Sequence, residues 1–263
     1  MEIVGNNEFV VRQIERLRHV VKLLAPFQPA VLTASVAAWA FLAWVLWQRQ
    51  FVVANWVTAV VAVLSVLALG VPRWVDALSA EANNHAKGLA GEQATANLLK
   101  KLLNSNWTLY QNVTLPDQLG DIDGILVGTS GVFLLEIKTY SGIYQNSGSK
   151  WLQKTPDQAW ELVKKSPTHQ VQKNVERLTG WLLEQDLPIV VQPRLVWAGD
   201  GLILQEEPDV SFWLLNQEQV IVDELRRGEA ISAETIAQLN RCLKTRIETD
   251  NQHDLLPTAP ILG

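Results

Sequence analysis

The sequence predicts a mixed α/β domain preceded by a transmembrane helical hairpin. Two uncharged apolar runs stand almost back to back, at residues 29–47 and 51–71. Beyond residue 81 the pattern changes to alternating strand-like and helix-like segments. Within that part, two apolar runs flank a Gly-Thr-Ser-Gly turn and carry acids and a lysine at their far ends.

Composition bounds the rest. The 263 residues suffice for one or two domains. Net charge is −5, which argues against a globally basic nucleic-acid binder but leaves room for a local basic groove. The single cysteine, Cys242, rules out an intrachain disulfide and a cysteine-rich zinc site. His19, His85, His169 and His253 show no metal-ligand spacing. A metal site would have to use carboxylates, which suit Mg²⁺ or Mn²⁺.

Each apolar run, at about 1.5 Å rise per residue, reaches about 30 Å, the thickness of a bilayer's hydrocarbon core. Trp47 and Trp74 sit at run ends, where interfacial indoles are favoured. Only Gln48-Arg49-Gln50 separates the runs, so a tight hairpin at 28–72 with both termini on one side is expected. Arg12, Arg16, Arg18 and Lys22 precede it, Arg73 and Lys87 follow, and Arg49 alone lies in the turn. The positive-inside rule then places both termini and the soluble domain in the cytoplasm. A pair of buried helices in a soluble core is the competing reading; a cleaved signal peptide fits poorly, because a second run follows at once.

Ahead of the spans, within 1–27, Val10, Ile14, Leu17, Val21 and Leu24 repeat at helical spacing among basic residues. Such a helix suits the lipid surface, a partner helix (a second copy of the chain included), or packing on the protein itself.

The soluble domain is expected over 81–248. Residues 82–103 read as a helix with Ala90, Ala94, Leu98 and Leu102 on one face, and 107–114 as a strand. Runs 122–127 and 132–137 form a β-hairpin pattern around Gly128-Thr-Ser-Gly131. With Thr129 and Ser130 as the turn, Asp123 faces Glu136, and Asp121 faces Lys138. Side chains alternate along strands, so the four ionisable groups share one side. Two carboxylates so close repel, and a divalent cation relieves that repulsion. A nearby lysine can polarise a water or steady charge on a phosphorane. The competing reading is a surface salt-bridge face on a half-exposed sheet.

Taken in order, Gly91-Glu92, Gly-Asp-Ile-Asp123, Gly131-Val-Phe-Leu-Leu-Glu136-Ile-Lys138 and Tyr140-Ser-Gly142 resemble the nuclease-related domain (NERD) family. That family is similar to the wider PD-(D/E)xK restriction-endonuclease-like superfamily, which implies a mixed central sheet flanked by helices. The resemblance implies that Asp123 and Glu136 bind the metal directly, that Glu92 helps, often through water, and that Lys138 is the catalytic lysine. It also implies a Pro and a Gln opening a later helix, matched by Pro167 and Gln170. Asp121 is an extra acid and a candidate partner of Lys138.

Between residues 138 and 177, Lys138, Lys150, Lys154, Lys164, Lys165, Lys173 and Arg177 outnumber Asp157, Glu161 and Glu176. With Trp151 and Trp160 in a polar connection, this suits a phosphate backbone and stacked bases, or else a solvated face over core tryptophans. A helix over 168–185, strands at 189–197, near Leu202 and at 212–214, and helices at 217–227 and 233–247 complete the domain. Ser232 is an apt N-cap for the last helix. Residues 249–263 read as a loose tail.

The leading expectation is a membrane-anchored, Mg²⁺- or Mn²⁺-dependent nuclease acting on DNA or RNA. The alternatives are a catalytically silent module binding nucleic acid or a protein at the membrane, and a small membrane adaptor whose acid cluster is structural.

Overall fold

The computed structural model describes residues 1–5, 7–48, 51–116 and 120–254. In chain order the elements are β1 (Glu2–Val4), α1 (Glu8–Leu24), α2 (Phe27–Trp47), α3 (Phe51–Leu102), β2 (Thr108–Thr114), β3 (Asp121–Gly128), β4 (Gly131–Lys138), β5 (Tyr144–Ser147), β6 (Lys150–Lys154), β7 (Trp160–Leu162), α4 (Pro167–Glu184), β8 (Val191–Trp197), β9 (Leu202–Leu204), β10 (Phe212–Leu214), α5 (Glu218–Arg226) and α6 (Ala233–Asp254). The chain divides into two compact units, Glu8–Lys87 and a second made of Met1–Asn7 with Gly88–Gly263.

In the first unit, α2 and α3 each hold a stretch long and apolar enough to cross a membrane. Leu42, Val45 and Val61 form their small shared core, with Ala38 and Val57 against it. The Trp39 indole donates to Ser65 Oγ at 3.0 Å, and that hydroxyl donates to the Val61 carbonyl at 2.8 Å. Leu32, Val36, Trp44, Val63, Val66 and Leu69 all stay exposed. The most apolar windows are only 17% and 6% buried, the reverse of a soluble core-helix pair. The hairpin turn at 49–50 lies outside the described residues.

The sequence suggested a stop after residue 71 and a new helix from 82. Instead α3 runs unbroken from Phe51 to Leu102 with Pro72 inside it. Proline removes one backbone hydrogen bond, but residues 73–81 are mostly good helix formers with no turn cluster. The helix therefore continues.

In the second unit a six-stranded mixed sheet has the order β1-β2-β3-β4-β8-β10. β2, β3 and β4 form an antiparallel meander, while β8 joins β4 in parallel through α4. Helices cover both faces. Val171, Leu178 and Leu182 of α4 and Leu239 and Leu243 of α6 pack with Ile125, Val132 and Leu134. Ala96 and Leu99 of α3 and Ile221 and Leu225 of α5 pack with Leu126, Phe133 and Leu135. The expected fold class, a mixed central sheet flanked by helices, is the one observed.

Several boundaries differ from the sequence reading. Residues 2–4 are not part of the amphipathic helix but an edge strand parallel to β2; three residues are too few to show a period. The stretch 139–163 is no mere polar connection. Its strands β5, β6 and β7 join β9 in a second, four-stranded sheet of order β7-β6-β5-β9. Ser232 does cap α6, accepting from the Thr235 amide at 3.1 Å. α6 runs on to Asp254, and the rest of the expected tail lies outside the described residues.

Candidate active site

The site forms where the meander opens. The β3–β4 register is the expected one: Gly128 pairs with Gly131 and Gly124 with Leu135. One step further out come Asp123 and Glu136, close enough for the Glu136 charge to act on Asp123. There both ladders give way. The β2–β3 pairing skips Asn112 and Asp123, and Asn112 takes a left-handed φ of 51°. Asparagine tolerates that region better than most residues. Asp123 Oδ2 accepts from the Ile137 amide at 2.7 Å, so a side chain replaces a ladder bond.

Glu136 is completely buried. Lys138 Nζ donates to its Oε1 at 2.5 Å and to Gln170 Oε1 at 3.1 Å. Asn174 Nδ2 donates to Glu136 Oε2 at 3.1 Å. Arg177 in turn donates to Asn174 Oδ1 at 3.0 Å and to the Gly120 carbonyl at 3.2 Å. Gln170, Asn174 and Arg177 are spaced four and three apart, so one stripe of α4 faces the carboxylates. Ser166 caps this helix and Pro167 starts it, which fixes the phase of that stripe.

Glu92 comes from α3. Its Oε2 accepts from Asn112 Nδ2 at 3.3 Å. Gly91 allows this approach: a Cβ there would lie 2.0 Å from Thr139 Cγ2 and 3.3 Å from Ala198 Cβ.

The electrostatics follow from burial. Desolvation pushes the Asp123 carboxyl up to about 8, the Glu136 charge adds to this, and Lys138 and the Ile137 amide pull back. Burial also raises Glu136, against the lowering effects of Lys138 and Asn174. Burial alone would lower Lys138, but the charges of Glu136 and Asp123 more than offset it, and the ammonium is held. Glu92 is raised by desolvation, against its bond from Asn112. The cluster has more carboxylate than cation to balance it.

Residues 87–198 match the family model of the nuclease-related domain. The matched region starts just before Gly91-Glu92 and ends one residue past β8, so it contains every site residue named above. The chain is also similar to an uncharacterized protein of Bacillus anthracis, 32% identical over 131 residues. That alignment covers 48% of this chain and 55% of the relative, so the chain spans about half the length of the curated protein it matches. No solved structure matches.

Of the residues singled out from the sequence, Asp123, Glu136, Lys138 and Gln170 meet within the region that matches this family model. Glu92 stands beside them, near enough for its charge to act on Asp123. Asp121 does not partner Lys138. It pairs with Thr114 on β2 and accepts from Thr114 Oγ1 at 2.9 Å, while Lys138 turns inward to Glu136 and Gln170. Trp151 is 1% exposed and stacks on Trp197, so it belongs to the core reading. Sequence reasoning missed Asn174, and read Arg177 only as part of a basic surface rather than as a partner of Asn174. Their helical spacing from Gln170 was the available signal, hidden because polar residues on a helix usually face water.

Proposed function

We propose that this chain is a membrane-anchored, divalent-metal-dependent nuclease that hydrolyses phosphodiester bonds of DNA or RNA. The observation that carries the reading is the joining of Asp123, buried Glu136 and Lys138 at the open end of one hairpin, within the region matching the nuclease-related domain. The donors are hard carboxylate oxygens, suited to Mg²⁺ or Mn²⁺. Burial raises the proton affinity of both carboxyls, a desolvation that a bound cation would offset. Among the described residues no three His, Cys, Asp or Glu side chains form a cation cage. Mg²⁺ typically binds one or two carboxylates and fills its shell with water and phosphate oxygens, so Asp123 and Glu136 suffice, with Glu92 reaching through water.

When bound, the cation would supply Lewis-acid polarisation of the phosphoryl group and a more acidic water. Lys138 is placed to steady charge developing on the phosphorane oxygens. Gln170 fixes the direction of that ammonium, and Asn174 fixes the second oxygen of Glu136. The helices of the first unit serve as the anchor, and the excess of Arg and Lys outside the hairpin favours cytoplasmic termini.

The test uses the full chain in detergent with single- and double-stranded DNA and RNA, in Mg²⁺ or Mn²⁺. Lys138→Met should lower turnover about 10²- to 10³-fold, the usual loss for one transition-state contact. Asp123→Asn should do likewise, with the circular dichroism of both variants unchanged. Equal cleavage by wild type and variants would sink the reading. A silent nucleic-acid-binding module is the second reading, favoured by the bonds from Lys138 and Asn174 that already occupy both oxygens of Glu136; it requires oligonucleotide binding with no metal uptake by calorimetry.

A further inference from the structure

The second sheet has two unlike faces. One is buried at Tyr144, Asn146 and Trp151 and turns polar toward its edge at Gln153 and Glu161. The register defines the other. Leu162 pairs with Leu152, Leu152 with Gln145, and Gln145 with Ile203, so these four side chains form one row. Trp160 pairs with Lys154 in the next row, and the Lys154 amide donates to the Ile143 carbonyl. By alternation Lys150 and Ser147 share this face. Ile143 (40%), Trp160 (39%), Leu162 (66%) and Ile203 (44%) lie open to solvent. β7, β6 and β5 pair antiparallel, and such a sheet with one buried face ordinarily turns polar residues outward. Of the nine residues the register places on this outer face, five are apolar instead (Ile143, Leu152, Trp160, Leu162 and Ile203), with Gln145, Ser147 and two lysines and no acid among them. Glu161 points to the opposite side. Glu206 meets the face only at its edge, bonded to Ser147. Lys164 and Lys165 follow just beyond β7, both exposed.

We propose that this outer face docks on the headgroup region of an anionic lipid bilayer. Trp, Ile and Leu bury in the acyl boundary while lysines meet lipid phosphates. Four aliphatic side chains to one indole fit a lipid surface better than a single-stranded nucleic acid, which needs several stacking rings. The proposal extends the membrane-anchored reading, since a tethered domain meets the bilayer at high local concentration.

The test uses the full chain in nanodiscs, with Cys242→Ser and a fluorophore on Leu162→Cys or, as control, on Asp186→Cys. Headgroup-labelled quencher lipids should quench the Leu162→Cys label well above the control, and more with phosphatidylserine than with phosphatidylcholine. Lys150→Gln and Lys154→Gln should each shift the docked-to-free ratio about fivefold, equivalent to about 1 kcal/mol per basic residue at an anionic surface. Equal quenching at both positions overturns the proposal. So does protection of the label by an oligonucleotide alone, or by protein concentration alone, which would indicate nucleic acid or a second copy. A chain that enters no bilayer yet quenches at Leu162→Cys on added anionic vesicles upholds the face and refutes the anchor.

Discussion

Asp123 shows how position sets chemistry at a single residue. Its carboxyl keeps its proton up to about pH 8 rather than its ordinary 3.8, because burial and Glu136 oppose ionisation. A raised carboxyl means the folded state binds the proton more tightly. Its contribution to stability is therefore complete below 3.8 and is lost as pH rises through about 8. In chelator, melting temperature should fall across that window by more in wild type than in Asp123→Asn, and equal slopes would refute the assignment. Asn174 gives a second prediction. Asn174→Leu leaves Glu136 Oε2 without its 3.1 Å partner, which costs about 1–3 kcal/mol of stability. If Glu136 binds the cation, metal affinity should also fall about 10- to 100-fold. Calorimetry separates the two effects, and Asn174→Ser should recover part of the affinity.

At the scale of elements, the site depends on how closely α3 approaches the ends of β4 and β8. Gly91→Ala places a methyl 2.0 Å from Thr139 Cγ2. Overpacking of this kind costs about 1–3 kcal/mol, and here it would also displace Glu92. Thr139→Ser removes the clashing methyl, so the double variant should melt above Gly91→Ala alone. Simple additivity of the two changes would show that the helix does not press there. The α4 stripe follows the same logic: the Ser166 cap and Pro167 set the phase, and Gln170, Asn174 and Arg177 arrive at the carboxylates together.

For the whole molecule, the apolar hairpin and the mixed sheet that carries the candidate site lie in separate compact units. If the first unit spans a bilayer, alkaline carbonate should fail to extract the chain from membranes. If the excess of flanking Arg and Lys sets its direction, a tag after residue 263 should resist protease in sealed cytoplasm-in vesicles. Tag cleavage there would reverse the topology.

Much of this was legible from the linear pattern. Uncharged runs of membrane length mark themselves by composition. A two-residue turn at Thr129 and Ser130 gives one hairpin register, and it is the one observed from Gly124–Leu135 to Gly128–Gly131. Extended by one step, that register sets Asp123 level with Glu136. Tertiary structure alone decided the rest. Lys138 chose Glu136 and Gln170 over Asp121 because α4 packs across the buried end of β4, a contact between segments 32 residues apart. β1 and three strands of the second sheet, β5 to β7, escaped notice because strands of three to five residues carry too little periodicity. Sequence fixes what neighbours along the chain must do; which distant polar groups satisfy a buried carboxylate is settled only when the layers close over it.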